Sequence, residues 1–214
     1  MPRRPLSVKH QVVEGPLPLV AALIAGILLL VVACLAADSE GDTLFWVAPC
    51  DDPKTGCQPG DLDLARWALE AWQTAANGRL HFVETKDRQQ ALLRLVWASP
   101  QGGLYGETVP IEVNGRRGAQ IFVVNTTRDV TDAMLRDTIV YLTCLHESGH
   151  ALGLRHTDQF DDIMYSFQYG GDIPEYFGRY RRKLVKREDI RKNSGLSGAD
   201  RTHLLASLSA SAPF

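Results

Sequence analysis

Half of the chain's six histidines fall within eleven residues, "HESGHALGLRH" at 146–156. His146 and His150 are four apart, so a helix sets both on one face. The pattern around them predicts such a helix from about Thr131 to Leu152. Leu135, Ile139 and Leu142 form one apolar stripe, and the two histidines continue it. Its second half, "VYLTCLHESGHAL", is apolar on nearly every other side as well, and a helix apolar all round is buried. The fold is therefore expected to be built about a central helix that carries two imidazoles at its C-terminal end. Gly153 follows His150 by three residues and can take a positive φ at no steric cost, so the helix can stop there and the chain can turn. The turn brings His156 back towards the same point.

Three neutral imidazoles aimed at one point suit Zn²⁺ and leave a fourth position for solvent, the feature that separates a catalytic zinc from a structural one. Glu147 is rotated about 100° around the helix from His146. It can reach a water on the metal without being a ligand, take its proton, and pass that proton to a leaving amine. With this composition, chance matches to the five fixed positions number on the order of 10⁻⁵. Histidines satisfied only by backbone and carboxylates are the alternative, and a buried face of bare imidazoles would be costly.

The remaining elements are shorter. "TLFWVAP" (43–49) reads as a first strand and "DLDLARWALEAWQTAANG" (61–78) as a helix, capped by Asp61 and ended by Asn77-Gly78 in the left-handed region. Leu64, Ala68, Trp72 and Ala75 make its apolar face. "RLHFVET" (79–85) alternates, while "ALLRLVWA" (91–98) reads as a uniformly apolar, buried strand. Residues 108–125 read as two strands joined around Asn114-Gly115. The stretch 153–178 has weak periodicity and reads as a long irregular loop. Residues 179–192 hold eight basic and two acidic residues. The wider segment 170–193 reads as a solvated helix, with a substrate rim or a membrane contact as the functional alternatives. "GLSGADRTHLLASLSA" reads as a last helix with Ser197 as N-cap and Asp200 in the capping-box position.

Nineteen residues without a charge, Leu19 to Ala37, match the length of a bilayer-spanning helix. Arg3, Arg4 and Lys9 precede them and Asp38, Glu40 and Asp42 follow, which sets the rest of the chain outside the cytoplasm. The expected division is a cytoplasmic segment 1–18, a transmembrane signal-anchor 19–37 and a catalytic domain 38–214. Retention as a single anchor is favoured, because the polar stretch before the span is long for a signal peptide. Cleavage after Ala36 or Ala37, or lipidation of Cys34 in "VVAC", are the other fates, and all three are extracytoplasmic. Without residues 1–37 the chain holds 20 basic and 24 acidic residues. That balance, like the whole-chain net charge of −2, gives no sign of a nucleic-acid partner. In an oxidising compartment Cys50 and Cys57 are plausible disulfide partners, and Cys144 is expected to be a buried free thiol.

"HESGHALGLRH" is similar to the metzincin signature HExxHxxGxxH in full, and "DDIMYS" resembles the methionine turn of the matrixin branch. The resemblance implies zinc ligands at His146, His150 and His156, a catalytic Glu147, and a structural Met164. It also implies an α+β, zincin-like fold: a twisted mixed β-sheet with an active-site helix and a C-terminal helix, over about residues 43–209. Ser166 stands where matrixins commonly have proline, and Arg155 where a small or acidic residue is frequent. The expected activity is zinc-dependent endopeptidase action on a protein or peptide substrate lying along the sheet edge. A zinc hydrolase of a non-peptide bond and a non-catalytic envelope module that keeps zinc for folding are the rivals. Glu107 is read as a surface carboxylate and Tyr165 as a packing residue. Asp158 and Asp161 are read as solvated loop residues, and His81 and His203 as structural; His10 belongs to the N-terminal segment.

Overall fold

The computed structural model describes residues 41–99, 105–127, 129–210 and 214. Residues 19–37, expected to span a membrane, and the cytoplasmic segment before them lie outside these. No helix among the described residues is long and apolar enough to cross a membrane.

Five strands form one mixed sheet: β1 (Thr43–Val47), β2 (Phe82–Glu84), β3 (Leu93–Ala98), β4 (Gly106–Val113) and β5 (Arg116–Val124). Their order is β2-β1-β3-β5-β4, parallel throughout except for β4, which pairs antiparallel with β5. Asn114 and Gly115 take φ of 51° and 76°, the left-handed pair that a two-residue hairpin needs to match the strand twist. Among the described residues β4 is thereby left as a free edge.

The sheet buries one face. Phe45 and Val47, then Leu93, Leu95 and Trp97, then Ala119, Ile121 and Val123 are buried at every second position, and the residues between them are half-buried. The expectation of a uniformly buried third strand is corrected here: β3 alternates, because helices cover only one face of the sheet.

Those helices are α1 (Asp61–Ala75) and α2 (Ala133–Ala151). Leu64, Ala68, Trp72 and Ala75 are all buried, as the periodicity predicts, and the Trp72 indole donates to Leu145 O at 2.9 Å, tying α1 to α2. Asn77 and Gly78 end the α1 segment at φ 54° and 83°. Asp61 does not cap α1; it is the helix's first residue and is fully buried. Its carboxylate accepts the Gln58 N–H (2.9 Å) and both guanidinium nitrogens of Arg136 from α2. A carboxylate taken wholly out of water needs a cation more than a helix start needs a cap. Asp132 instead caps α2, accepting from Met134 and Leu135.

The stretch read as one irregular loop holds a helix, α3 (Ile173–Arg181), capped by Asp172 with Pro174 in its first turn. Its buried residues are aromatic, Tyr176, Phe177 and Tyr180. A short α4 (Asp189–Lys192) and the final α5 (Gly198–Ala210) complete the chain. Ser197 and Asp200 form the expected capping box (Asp200 N to Ser197 Oγ 3.0 Å; Ser197 N to Asp200 Oδ2 2.8 Å). Cys50 and Cys57 are bridged, and Cys144 is buried and free.

Candidate metal centre and cleft

α2 ends in a Schellman motif. Gly153 takes φ 85°, its N–H bonds His150 O (2.9 Å), and Leu154 N–H bonds Gly149 O (3.0 Å). The turn frees Leu154 O, which receives the Nδ1–H of His150 at 2.9 Å. Ile163 O, 17 residues from His146, receives that residue's Nδ1–H at 2.7 Å. With both Nδ1 atoms used as donors, both Nε2 atoms are bare lone pairs.

These lone pairs converge. Nε2 of His156 lies 3.2 Å from that of His146 and 3.1 Å from that of His150. One proton could relieve only one of these contacts. A tetrahedral ion bonded at 2.0–2.1 Å would hold its ligands about 3.3 Å apart; the two distances from His156 match this, and the three ligand atoms lie within 4.8 Å of one another, so the donor set suits zinc. The three side chains are the one group of this kind among the described residues that could hold a metal ion. Burial holds the His146 imidazole down at about 4, with His150 and His156 pushing the same way against the Ile163 carbonyl.

The floor of the site is Met164, fully buried. A Cβ on Gly149 would come within 2.4 Å of its sulfur, so the helix has no side chain where the methionine packs. The segment around Met164 is closed by Thr157 N to Met164 O (2.8 Å) and Ser166 N to Thr157 O (3.1 Å). It is held from α5 by Asp200, whose carboxylate accepts the N–H groups of Ile163 (2.9 Å) and Met164 (3.4 Å). Capping is therefore only half of what Asp200 does: through Ile163 it also holds the carbonyl that orients His146. Ser166, in the position where matrixins commonly have proline, caps a turn at Phe167–Tyr169.

Glu147 is buried beneath β4. A Cβ on Gly106 would lie 2.6 Å from its Cγ, so the edge strand comes this close only because residue 106 is glycine. The Thr108 hydroxyl donates to Glu147 Oε2 at 2.8 Å. Burial pushes the carboxyl of Glu147 up to about 7, opposed by Thr108 and helped by the charge of Glu107. Sequence reasoning passed over Gly106 and Thr108; their signal was residues of one parity in a strand next to Glu107. Glu107 itself is exposed at the rim of the cleft.

The cleft has a volume of about 640 Å³ and runs from the histidines between β4 and α2 to an aromatic wall of Tyr105, Phe167, Tyr176 and Phe177. Tyr165 gives its hydroxyl to Gly170 O (2.8 Å) and packs. Asp161 pairs with Arg179, and Asp158 accepts from Gln159, so neither reaches the histidines. His81 bonds Asp42 at 2.7 Å, and His203 is exposed on α5. His10 lies outside the described residues.

A mixed sheet with an antiparallel free edge, and beside it a helix that carries two of three converging imidazoles, define a zincin-type fold. The family model of the matrixins (Peptidase M10) matches residues 60–174, more than half of the chain. The chain belongs to the matrixin family of zinc metallopeptidases. No curated protein sequence matches it.

Proposed function

We propose that the protein is a zinc-dependent endopeptidase in which His146, His150 and His156 hold the metal and Glu147 moves the proton. The observation that carries this reading is the approach of His156 Nε2 to 3.2 Å and 3.1 Å from the Nε2 atoms of His146 and His150, beside a cleft lined by the buried Glu147 carboxylate. Zinc held there would act as a Lewis acid, polarising a carbonyl and making water a nucleophile near neutral pH. Glu147 takes the proton of the attacking water and returns it to the amine that leaves. Thr108 holds the Glu147 carboxylate in one orientation, and burial keeps it basic enough to accept that proton. Met164 serves as the structural floor.

The substrate is a protein or peptide in extended form, added as a further strand along β4. In the same reading residues 38–214 form the catalytic domain, and residues 19–37 anchor it outside the cytoplasm, with 1–18 on the inner side. Cleavage, or lipidation at Cys34, would export the same domain.

Glu147→Gln tests the reading. Zinc content of the full-length protein should be unchanged while cleavage of a peptide library falls by about 10²–10⁴-fold. If the wild-type protein binds zinc but cleaves no peptide, and Glu147→Gln alters nothing, the chain is a binding module. Cleavage of esters but no amides would make it a hydrolase of another bond.

A further inference from the structure

The backbone of β4 does not offer the same groups along its whole free edge. Ala119, paired with Pro110 in the register, gives its N–H to Leu92 O on the far side (2.8 Å), so its backbone points away from β4. Val124 N donates to Tyr105 O at 2.8 Å and fixes the same phase at the other end. In an antiparallel ladder the two directions alternate. Gly106, Thr108, Pro110 and Glu112 therefore turn their main-chain groups outward, and of these only Pro110 has no N–H to offer.

Gly106 and Thr108 stand against Glu147, so a peptide on this edge meets the reacting centre opposite them. One step on, opposite Pro110, it finds an acceptor but no donor. Cross-strand partners share a face of the sheet, so the substrate side chain at that step projects over the same face as Pro110. Arg117 is on that face too, in register with Glu112, and both Pro110 and Arg117 line the cleft. Two strand spacings and one register step put the substrate Cα about 12 Å from that of Arg117, within the combined reach of an arginine and a glutamate side chain. Arg66, Arg136, Arg179, Arg181, Arg182, Arg187 and Arg191 each pair with a carboxylate. Arg117 is exposed and makes no ion pair or hydrogen bond among the described residues, not even with Glu112.

We propose that Arg117 selects a carboxylate on the substrate residue opposite Pro110, so that a side chain reads the one step at which the edge strand lacks a main-chain donor. This rests on the endopeptidase reading. An acid opposite Glu112 would meet a like charge, which confines the preference to a single position.

The test is a position-scanning peptide library, with glutamate against glutamine at every position on both sides of the cleaved bond, using the zinc-loaded full-length protein. One position should prefer glutamate about tenfold. Arg117→Gln should abolish that preference and Arg117→Glu should turn it towards lysine. Pro110→Ala, which restores a donor, should raise cleavage of the glutamine peptide several-fold. Binding of the same peptide pair to the Glu147→Gln variant, followed by fluorescence anisotropy, should show the same ratio without turnover. A profile with no glutamate preference above twofold, or one that survives Arg117→Glu, overturns the inference while leaving the endopeptidase reading intact. A wild-type protein that cleaves nothing in the library sinks both.

Discussion

Charge is used in two ways in this molecule. Beneath the cleft, Asp61, Arg136 and Asp200 are buried, and each is committed to a partner from a distant element. Along residues 173–192, Arg179, Arg181, Arg182 and Arg191 pair with Asp161, Asp132, Glu175 and Glu70 at the surface, and Arg187 pairs with the half-buried Asp137. The buried set fixes positions, because a charge out of water has no tolerable alternative to its partner. The surface set dresses a basic segment in carboxylates and leaves water as a ready substitute. Neither the substrate-rim nor the membrane-contact reading of this segment gains from these pairs, since the arginines already face acids of the same chain.

The largest effect should come from the histidines that the buried set supports. His150→Ala removes one of the converging imidazoles, and zinc content and peptide cleavage should both fall to background while the melting curve of the metal-free protein hardly moves. Full zinc occupancy in that variant would break the assignment of the ligands.

Arg136→Ala should cost about 3–5 kcal/mol, because it strands the buried Asp61 carboxylate without its cation. Replacing both partners, as Asp61→Leu with Arg136→Met, should recover most of that loss, read by denaturant unfolding. A single variant no less stable than wild type would show that the pair is not buried. Asp200→Ala should follow at about 3 kcal/mol: the N–H groups of Ile163, Met164 and Ser197 lose their acceptor, and a buried donor left without one costs roughly 1–3 kcal/mol. Zinc affinity should fall with it, since Ile163 O orients His146; Asp200→Asn, which keeps one oxygen, should fall less. Unchanged zinc affinity in Asp200→Ala would separate the turn from the metal centre.

The same contrast explains what the sequence disclosed. The histidine spacing, the glycine turn and the Ser197–Asp200 box are contacts between residues three to ten apart, where helical geometry alone fixes who meets whom. Likewise Asn114-Gly115 announces its hairpin, because only those residue types accept a left-handed pair cheaply. Asp61 reads as a cap because its partner is 75 residues away, and nothing local distinguishes a buried carboxylate from a capping one. Over α3 the loop reading of 153–178 and the helix reading of 170–193 overlap, because its buried face is aromatic and a proline and a glycine interrupt the helical period. Thr108 reaches Glu147 across 39 residues, and the approach depends on a glycine two positions earlier whose need is invisible until the strand is placed. Met164 and the three histidines were legible together only through resemblance to the matrixins.

The smallest effect should be at the surface, and it decides whether the comparison holds. Arg191 and Glu70 form a well-shaped pair, with Nε and a second nitrogen meeting the two carboxylate oxygens at 2.7 and 3.0 Å. By distance alone it looks as strong as the buried pair of α1 and α2. Yet its side chains are 62% and 44% exposed, so both ions keep much of their hydration, and ordering two long side chains offsets part of the Coulomb gain. Arg191→Ala should therefore cost less than about 1 kcal/mol, and the cost should shrink further as salt is raised, since the Debye length falls to about 3 Å at 1 M. The Arg136→Ala loss, measured in the same buffers, should barely respond to salt. If Arg191→Ala instead costs as much as Arg136→Ala at both salt concentrations, burial is not what separates the two regions, and the basic segment is as much a part of the frame as the helix beneath the cleft.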